Sequence, residues 1–170
     1  PLRFPGRPLS ALPRLAAAVS PTLPRIIHVA SGREWRGGQR QVLLLARELA
    51  GYPDVAQVVI TTTGSPLEAG LRAAGVPVRA VRWRIGLAPA ALGATLREAG
   101  RGDALLHAHD AHALTLCGVA SALTGTPLVV TRRVVFPLRR RGFCTRAARV
   151  IAVSEAVRRR LIQDRVAPSR

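Results

Sequence analysis

From Arg25 onward, short apolar runs alternate with stretches that repeat apolar residues at helical spacing. Ile26 to Ala30 is nearly continuous in apolar residues, the pattern of a strand buried on both faces of a parallel sheet. A Gly-rich loop, Ser31 to Gly38, follows. Gln39 to Ala50 then sets Val42, Leu45, Ala46 and Leu49 at i, i+3, i+4 and i+7, which predicts a helix that Gly51 and Pro53 end. The alternation repeats. Val55 to Thr61 is a β-branched strand, and Ser65 caps a helix running to Ala74, with Pro66 at its first position and Gly75 beyond its end. Val78 to Val81 is a strand, and Pro89 to Ala99 a helix closed by Gly100. Ala104 to His107 is a strand, and Ala111 to Leu123 an apolar helix closed by Gly125. Leu128 to Thr131 and Arg149 to Val153 are strands, and Ser154 caps a last helix to Ile162. This order predicts an α/β fold: an open parallel, Rossmann-like sheet with helices on both faces. Ligands in such sheets bind beyond the carboxyl ends of the strands, so chemistry is expected in the loops after Ala30, His107 and Thr131.

The length of 170 residues suits one domain. Residues 1–24 carry six prolines (Pro1, Pro5, Pro8, Pro13, Pro21 and Pro24), three arginines and no acidic residue. The prolines break any long helix, so the segment is expected to be a flexible extension, with a leader or membrane-touching segment as the minor alternative. The chain opens on Pro1 and contains no Met, which we read as a processed product or a fragment. No uncharged apolar run of 18 or more residues predicts a transmembrane helix. Cys117 and Cys144 are too few for a disulfide framework; Cys117, inside an apolar helix, reads as a small buried hydrophobe, and a cytoplasmic location is expected.

The net charge is +17, and every one of the 26 basic residues is Arg. Neither Lys nor Asn occurs, which points to GC-rich coding rather than to a basic function. The charge still attracts phosphate, diphosphate and acidic lipid. Interleaved aromatics are missing, which argues against nucleic acid as partner. The run Arg139-Arg140-Arg141 is either a solvated surface or a peripheral contact with acidic membrane.

Three loops carry candidate chemistry. Gly32 to Gly38 joins the first strand to the first helix, where glycines admit close backbone approach and a helix N-terminus offers unpaired N–H groups to an anion; Arg33 and Arg36 add charge. The spacing fits neither GxGxxG nor a Walker A loop. His107, His109, Asp110 and His112 follow the fourth strand. A metal reading lacks a completing Cys or Glu. His107 is expected to be buried and hydrogen-bonded, with Asp110 capping the helix, or with His109 and Asp110 at the cleft edge against a hydroxylated ligand. Arg132 and Arg133 leave the fifth strand, as a clamp for phosphate or carboxylate or as a solvated loop. Ser154 and Glu155 open the last helix as a cap and a first-turn acid, or else stand at the cleft. Hydrolase and zinc-enzyme motifs are absent. The absent GxGxxG and the Thr61-Thr62-Thr63 ending of the second strand argue against a dinucleotide oxidoreductase.

Ile26-Ile27-His28-Val29 with Gly37-Gly38, the segment 103–110 (DALLHAHD), the segment 127–137 (PLVVTRRVVFP) and the segment 148–157 (ARVIAVSEAV) together resemble the N-terminal domain of family-four, GT-B-fold retaining glycosyltransferases. The resemblance covers about Arg25 to Arg170. It implies two Rossmann-like domains facing a cleft. The present half shapes the acceptor site; an absent C-terminal half holds most of a nucleotide-sugar donor, so this half is expected to be inactive alone. The acceptor would be a glycan, a lipid or a lipopolysaccharide-type molecule, and cell-envelope biosynthesis the setting. No metal or other cofactor is implied. Gly37 and Gly38 map to the loop that approaches the donor phosphates, and Ser154 and Glu155 to the Ser-Glu after the last strand. The chain departs from the family at one point: where many members carry a catalytically important His after the fifth strand, it has Arg132 and Arg133. Arg holds an anion but cannot serve as acid or base. The competing reading is a stand-alone phosphate- or nucleotide-binding module without catalysis.

Overall fold

The structure, a computed structural model, describes residues 25–84, 87–138 and 141–167. The extension 1–24, and Arg139 and Arg140 of the basic run, lie outside the described residues. Six strands and six helices follow one another as β1 (Arg25–Ala30), α1 (Gly37–Ala50), β2 (Gln57–Thr62), α2 (Pro66–Ala73), β3 (Val78–Val81), α3 (Pro89–Ala99), β4 (Ala104–Ala108), α4 (Ala111–Thr124), β5 (Leu128–Arg132), α5 (Arg141–Arg146), β6 (Arg149–Ala152) and α6 (Glu155–Gln163). All strand pairs are parallel, in the order β3-β2-β1-β4-β5-β6. The chain therefore moves outward from β1 in one direction, returns through α3, and moves outward from β4 in the other. The crevice between the carboxyl ends of β1 and β4 is the topological switch point, where this class of sheet binds ligands.

Strand alternation divides the side chains between two cores. Ile27 and Val29 of β1 and Leu106 and Ala108 of β4 point to one face, packing with Leu116, Cys117 and Ala120 of α4. Ala30 of β1 and Val59 of β2 point to the other, with Val42 and Ala46 of α1 and Leu67 and Leu71 of α2. Local chemistry sets the ends. The Ser65 hydroxyl accepts the Glu68 amide at 3.2 Å, and Glu68 reaches back to the Gly64 amide at 2.7 Å, a reciprocal cap at the start of α2. Gly125 stops α4 at φ +73°, a conformation that a β-carbon would strain. At the amino edge of the sheet, the nearly buried Glu98 of α3 pairs with Arg25, Arg79 and Arg101. Burial alone would raise its carboxyl pKa, but the arginines prevail and hold it below the ordinary value. Both cysteines are buried and free, and burial pushes the Cys144 thiol up to about 11.

Several ends differ from the sequence pattern by one or two residues, α1 beginning at Gly37 rather than Gln39, so that Gly37 and Gly38 form its first turn. The second strand begins at Gln57, because Asp54 and Val55 still belong to the turn after α1. α5 is an element the pattern does not predict. Its six residues are too few to display a helical period, and Gly142 and the adjoining arginines read as loop. Packing holds it: Cys144 is buried, and the Phe143 ring covers Gly118 of α4, where an added β-carbon would stand 2.3 Å from the ring. Gly118→Ala is expected to lower unfolding free energy by about 1–3 kcal/mol through overpacking, against the gain in helix propensity. Denaturant melts test this; an unchanged or higher midpoint would mean that the ring yields freely.

Candidate functional site

At the switch point a cavity of about 310 Å³ opens among the carboxyl ends of β1, β4 and β5 and the start of α1. Arg36, Gly38, His109, Asp110, Arg132 and Arg133 all line it. Gly37 opens α1 beside it. The helix begins at Arg36 with no side chain capping it, so its first amides are left to an incoming acceptor. Gly37 has nothing within 4 Å of a would-be β-carbon, and at Gly38 only Arg133 Cδ comes within 3.9 Å. A β-carbon at either glycine would therefore meet no close contact within the protein.

Arg133 is the most firmly held cation in the cavity. Its Nε donates to Gln41 Oε1 at 2.6 Å, one terminal nitrogen donates to the His109 carbonyl, and Nη2 lies 3.2 Å from His109 Nδ1. A guanidinium can only donate, so His109 Nδ1 must accept, and the neutral ring carries its proton on Nε2. That proton faces His28 Nδ1 at 3.0 Å, which puts the His28 proton on its own Nε2. His107, in register with His28 across the β1–β4 pair, completes the cluster and bonds the Thr131 hydroxyl at 2.7 Å. Burial is the main reason all three rings resist protonation. His28 falls to about 3, with repulsion from His107 second; His107 falls to about 4, with Arg133 second; His109 lies well below its ordinary value, pressed by both neighbours and by Arg133. At neutral pH the cluster is an uncharged scaffold that fixes the Arg133 fork, and it is not an acid.

The ring nitrogens of His28, His107 and His109 lie within 4.8 Å of one another, the one such grouping found among the described residues. The rings lie against one another, with centroids 4.0 to 5.3 Å apart and interplanar angles of 29° to 44°. Both ring nitrogens of His109 are engaged, Nδ1 by the Arg133 cation and Nε2 by His28, which opposes a bound cation.

Asp110 caps α4, accepting the His112 and Ala113 amides at 3.1 and 2.9 Å, and takes the Ser31 amide and hydroxyl at 2.7 Å each. Oδ1 takes three of these bonds and Oδ2 one, so the carboxylate stitches the end of β1 to the start of α4 while Oδ2 retains a lone pair for a further donor. Arg132 donates to the Phe136 carbonyl at 2.6 Å, and Arg36 pairs with Glu34 on the surface. Ser154 and Glu155 line neither cavity described in this section. The Ser154 hydroxyl caps Val157 at 3.3 Å, and Glu155 forms two 2.8 Å bonds with Arg158.

A second cavity, also about 310 Å³, lies across the β1–α1 loop, between that loop, the end of β3 and the start of α4. Arg36 and Gln39 border both cavities. The sequence pattern singles out neither Trp83 nor Arg84, which enter this space from the segment after β3, nor Gln41, and it includes His28 only within the Ile26 to Val29 segment of the resemblance.

A family model described as Glycosyltransferase Family 4 matches residues 35–170. Among solved structures, HepE of Anabaena in complex with UDP and glucose superposes with a TM-score of 0.72 at 20% identity, covering 86% of this chain and 42% of that one. A glycosyltransferase of Rickettsia africae gives 0.67 at 14% identity, with 86% and 41% covered. MurG of Acinetobacter baumannii gives 0.59 at 13%, with 76% and 41% covered. At these identities the likeness is one of fold, and the chain spans about two-fifths of each structure's length. No curated protein matches the chain.

Proposed function

Because the chain belongs to glycosyltransferase family 4, we propose that it forms the acceptor-side half of an enzyme moving a sugar from a nucleotide-sugar donor to an acceptor hydroxyl. One observation carries the reading: at the switch point, uncapped amides of α1 and an Arg133 fork held by Gln41 and His109 converge on one cavity. HepE has been solved with UDP-glucose, which favours a uridine diphosphate donor. As the bond from sugar to diphosphate breaks, negative charge grows on the departing phosphate oxygens. Donors already aimed at that charge lower the barrier without reorganising. Arg133 and the α1 amides supply them, so the reading needs no metal. Neither Arg133 nor the buried histidines take up a proton readily, and on this reading the acceptor proton goes to the departing phosphate. No helix among the described residues is long and apolar enough to cross a membrane.

Calorimetric titration of UDP into the chain tests this. The wild type is expected to bind only weakly, since the other half would hold most of the donor, and Gly38→Ala to weaken binding by a further factor of about ten, since a methyl group beside Arg133 intrudes where a phosphate would approach; tight binding by this half alone would favour the stand-alone binding module. The melting temperature should not fall, because that methyl meets only an ordinary contact at 3.9 Å. Equal UDP affinity in both proteins would remove the α1 terminus from the donor site.

A further inference from the structure

The second cavity has its own chemistry. Of its cations, Arg36 is neutralised by Glu34, the sole carboxylate in its lining. Arg33 and Arg84 have no ion-pair or hydrogen-bond partner among the described residues; both are exposed, and both face this space. Guanidiniums lining one cavity from two separate segments, the β1–α1 loop and the end of β3, together make its potential positive and favour an anion between them. The cavity wall contains Trp83, which is 3% exposed, so one side is rigid and apolar. Gln39 forms the partition with the donor-side cavity, and its Oε1 is buried without a hydrogen-bond partner. A buried amide oxygen left unmade costs free energy until a donor reaches it. Its own Nε2 packs over Gly32, in the space that a β-carbon there would fill.

From these features we infer that the second cavity holds an anionic, hydroxylated acceptor, whose carboxylate or phosphate sits between Arg33 and Arg84 and whose hydroxyl donates to Gln39. The inference rests on the transferase reading and narrows its acceptor class. The hydroxyl at Gln39 is the one nearest the donor side, which makes it the nucleophile. Its oxygen forms the new bond to the sugar carbon, the bond from that carbon to the diphosphate oxygen breaks with its electron pair, and the hydroxyl proton departs with the diphosphate. The anion can belong to a soluble sugar acid or sugar phosphate, or to a lipid headgroup. A neutral sugar would leave both arginines uncompensated.

Calorimetry with the chain scores this using glucose 6-phosphate, glucuronate and glucose, with flotation on phosphatidylglycerol vesicles as the lipid arm. An anionic probe should bind at least about tenfold more tightly than glucose, and Arg33→Gln and Arg84→Gln should each remove about tenfold of that affinity. Neither side chain holds the fold together, so melting curves should coincide with wild type. Arginine-dependent binding of the sugar acids or phosphates identifies a soluble acceptor; arginine-dependent flotation without it identifies a headgroup. Glucose binding as tightly as glucose 6-phosphate, anion binding that survives both substitutions, or binding in no arm overturns the inference. The donor reading is scored apart, by UDP affinity and its dependence on Gly38 and Arg133. UDP bound through those residues together with indifference to acceptor charge would remove only the acceptor inference.

Discussion

Arg133→Ala is expected to weaken UDP binding by about ten- to a hundredfold while the fold survives. The magnitude is that of losing a charge-assisted contact to a phosphate, about 1.5–3 kcal/mol. Two features place Arg133 at the top of that range. Its guanidinium is already oriented by Gln41 and by the carbonyl and ring of His109, so little entropy is lost when a phosphate arrives. It also stands in a partly enclosed crevice, where water screens the interaction less than on an open surface. Arg133→Lys should retain part of the affinity, since it keeps the charge but not the planar fork. Arg132 is the internal control: it lines the same cavity but is held by the Phe136 carbonyl alone, so it loses more freedom on meeting a phosphate and Arg132→Ala should cost less. Titration of UDP against the three variants checks this; an Arg132 effect equal to or larger than the Arg133 effect would show that the fork is not the phosphate clamp.

Acidification should destabilise the chain steeply between pH 6.5 and about 4. In the unfolded chain each histidine binds a proton near its ordinary value of 6.5, whereas folded His28 and His107 resist protonation until about 3 and about 4, and His109 also lies well below 6.5. Between those limits the unfolded state holds more protons, so stability rises with pH across the window and is level with respect to these groups above it. With three such rings the slope approaches about 4 kcal/mol per pH unit near pH 5, enough to exhaust an ordinary domain's stability within a few units. Glu98 adds to the loss further down, because its stabilisation is present above 4.5 and disappears as pH falls through its depressed value. Denaturant unfolding from pH 7.5 to 4.5 measures the slope. A flat profile down to pH 5 would mean that the histidines are hydrated or already charged in the native state.

The sheet was legible because parallel strands covered on both faces must be apolar throughout, and Ile26 to Ala30, Ala104 to His107 and Leu128 to Thr131 say so directly. The glycines after α2 and α4 and the caps at Ser65 and Ser154 marked helix ends through local chemistry alone. Because the carboxyl ends of strands follow from strand order, Arg36, Gly38, His109 and Arg133 could be picked out as neighbours before any distance was known. What holds Arg133 was not legible. His28 reads as a stray polar residue in an apolar strand until β1 and β4 pair and bring it opposite His107. Gln41 looks like an ordinary surface position of α1, and Trp83 and Arg84 belong to a strand end that carries no motif. Ser154 and Glu155 stand out only through the family resemblance; in this chain the Ser154 hydroxyl caps α6 and Glu155 pairs with Arg158.

Isotope-edited NMR of the chain during a UDP titration tests the central claim most directly, because it reports where the diphosphate sits. The account predicts that the Gly37 and Gly38 amides and the Arg133 side chain shift first and furthest, with His109 following through its bond to Arg133. Saturating UDP that leaves these signals in place, or that moves instead the residues around Trp83 or Ser154, would contradict it.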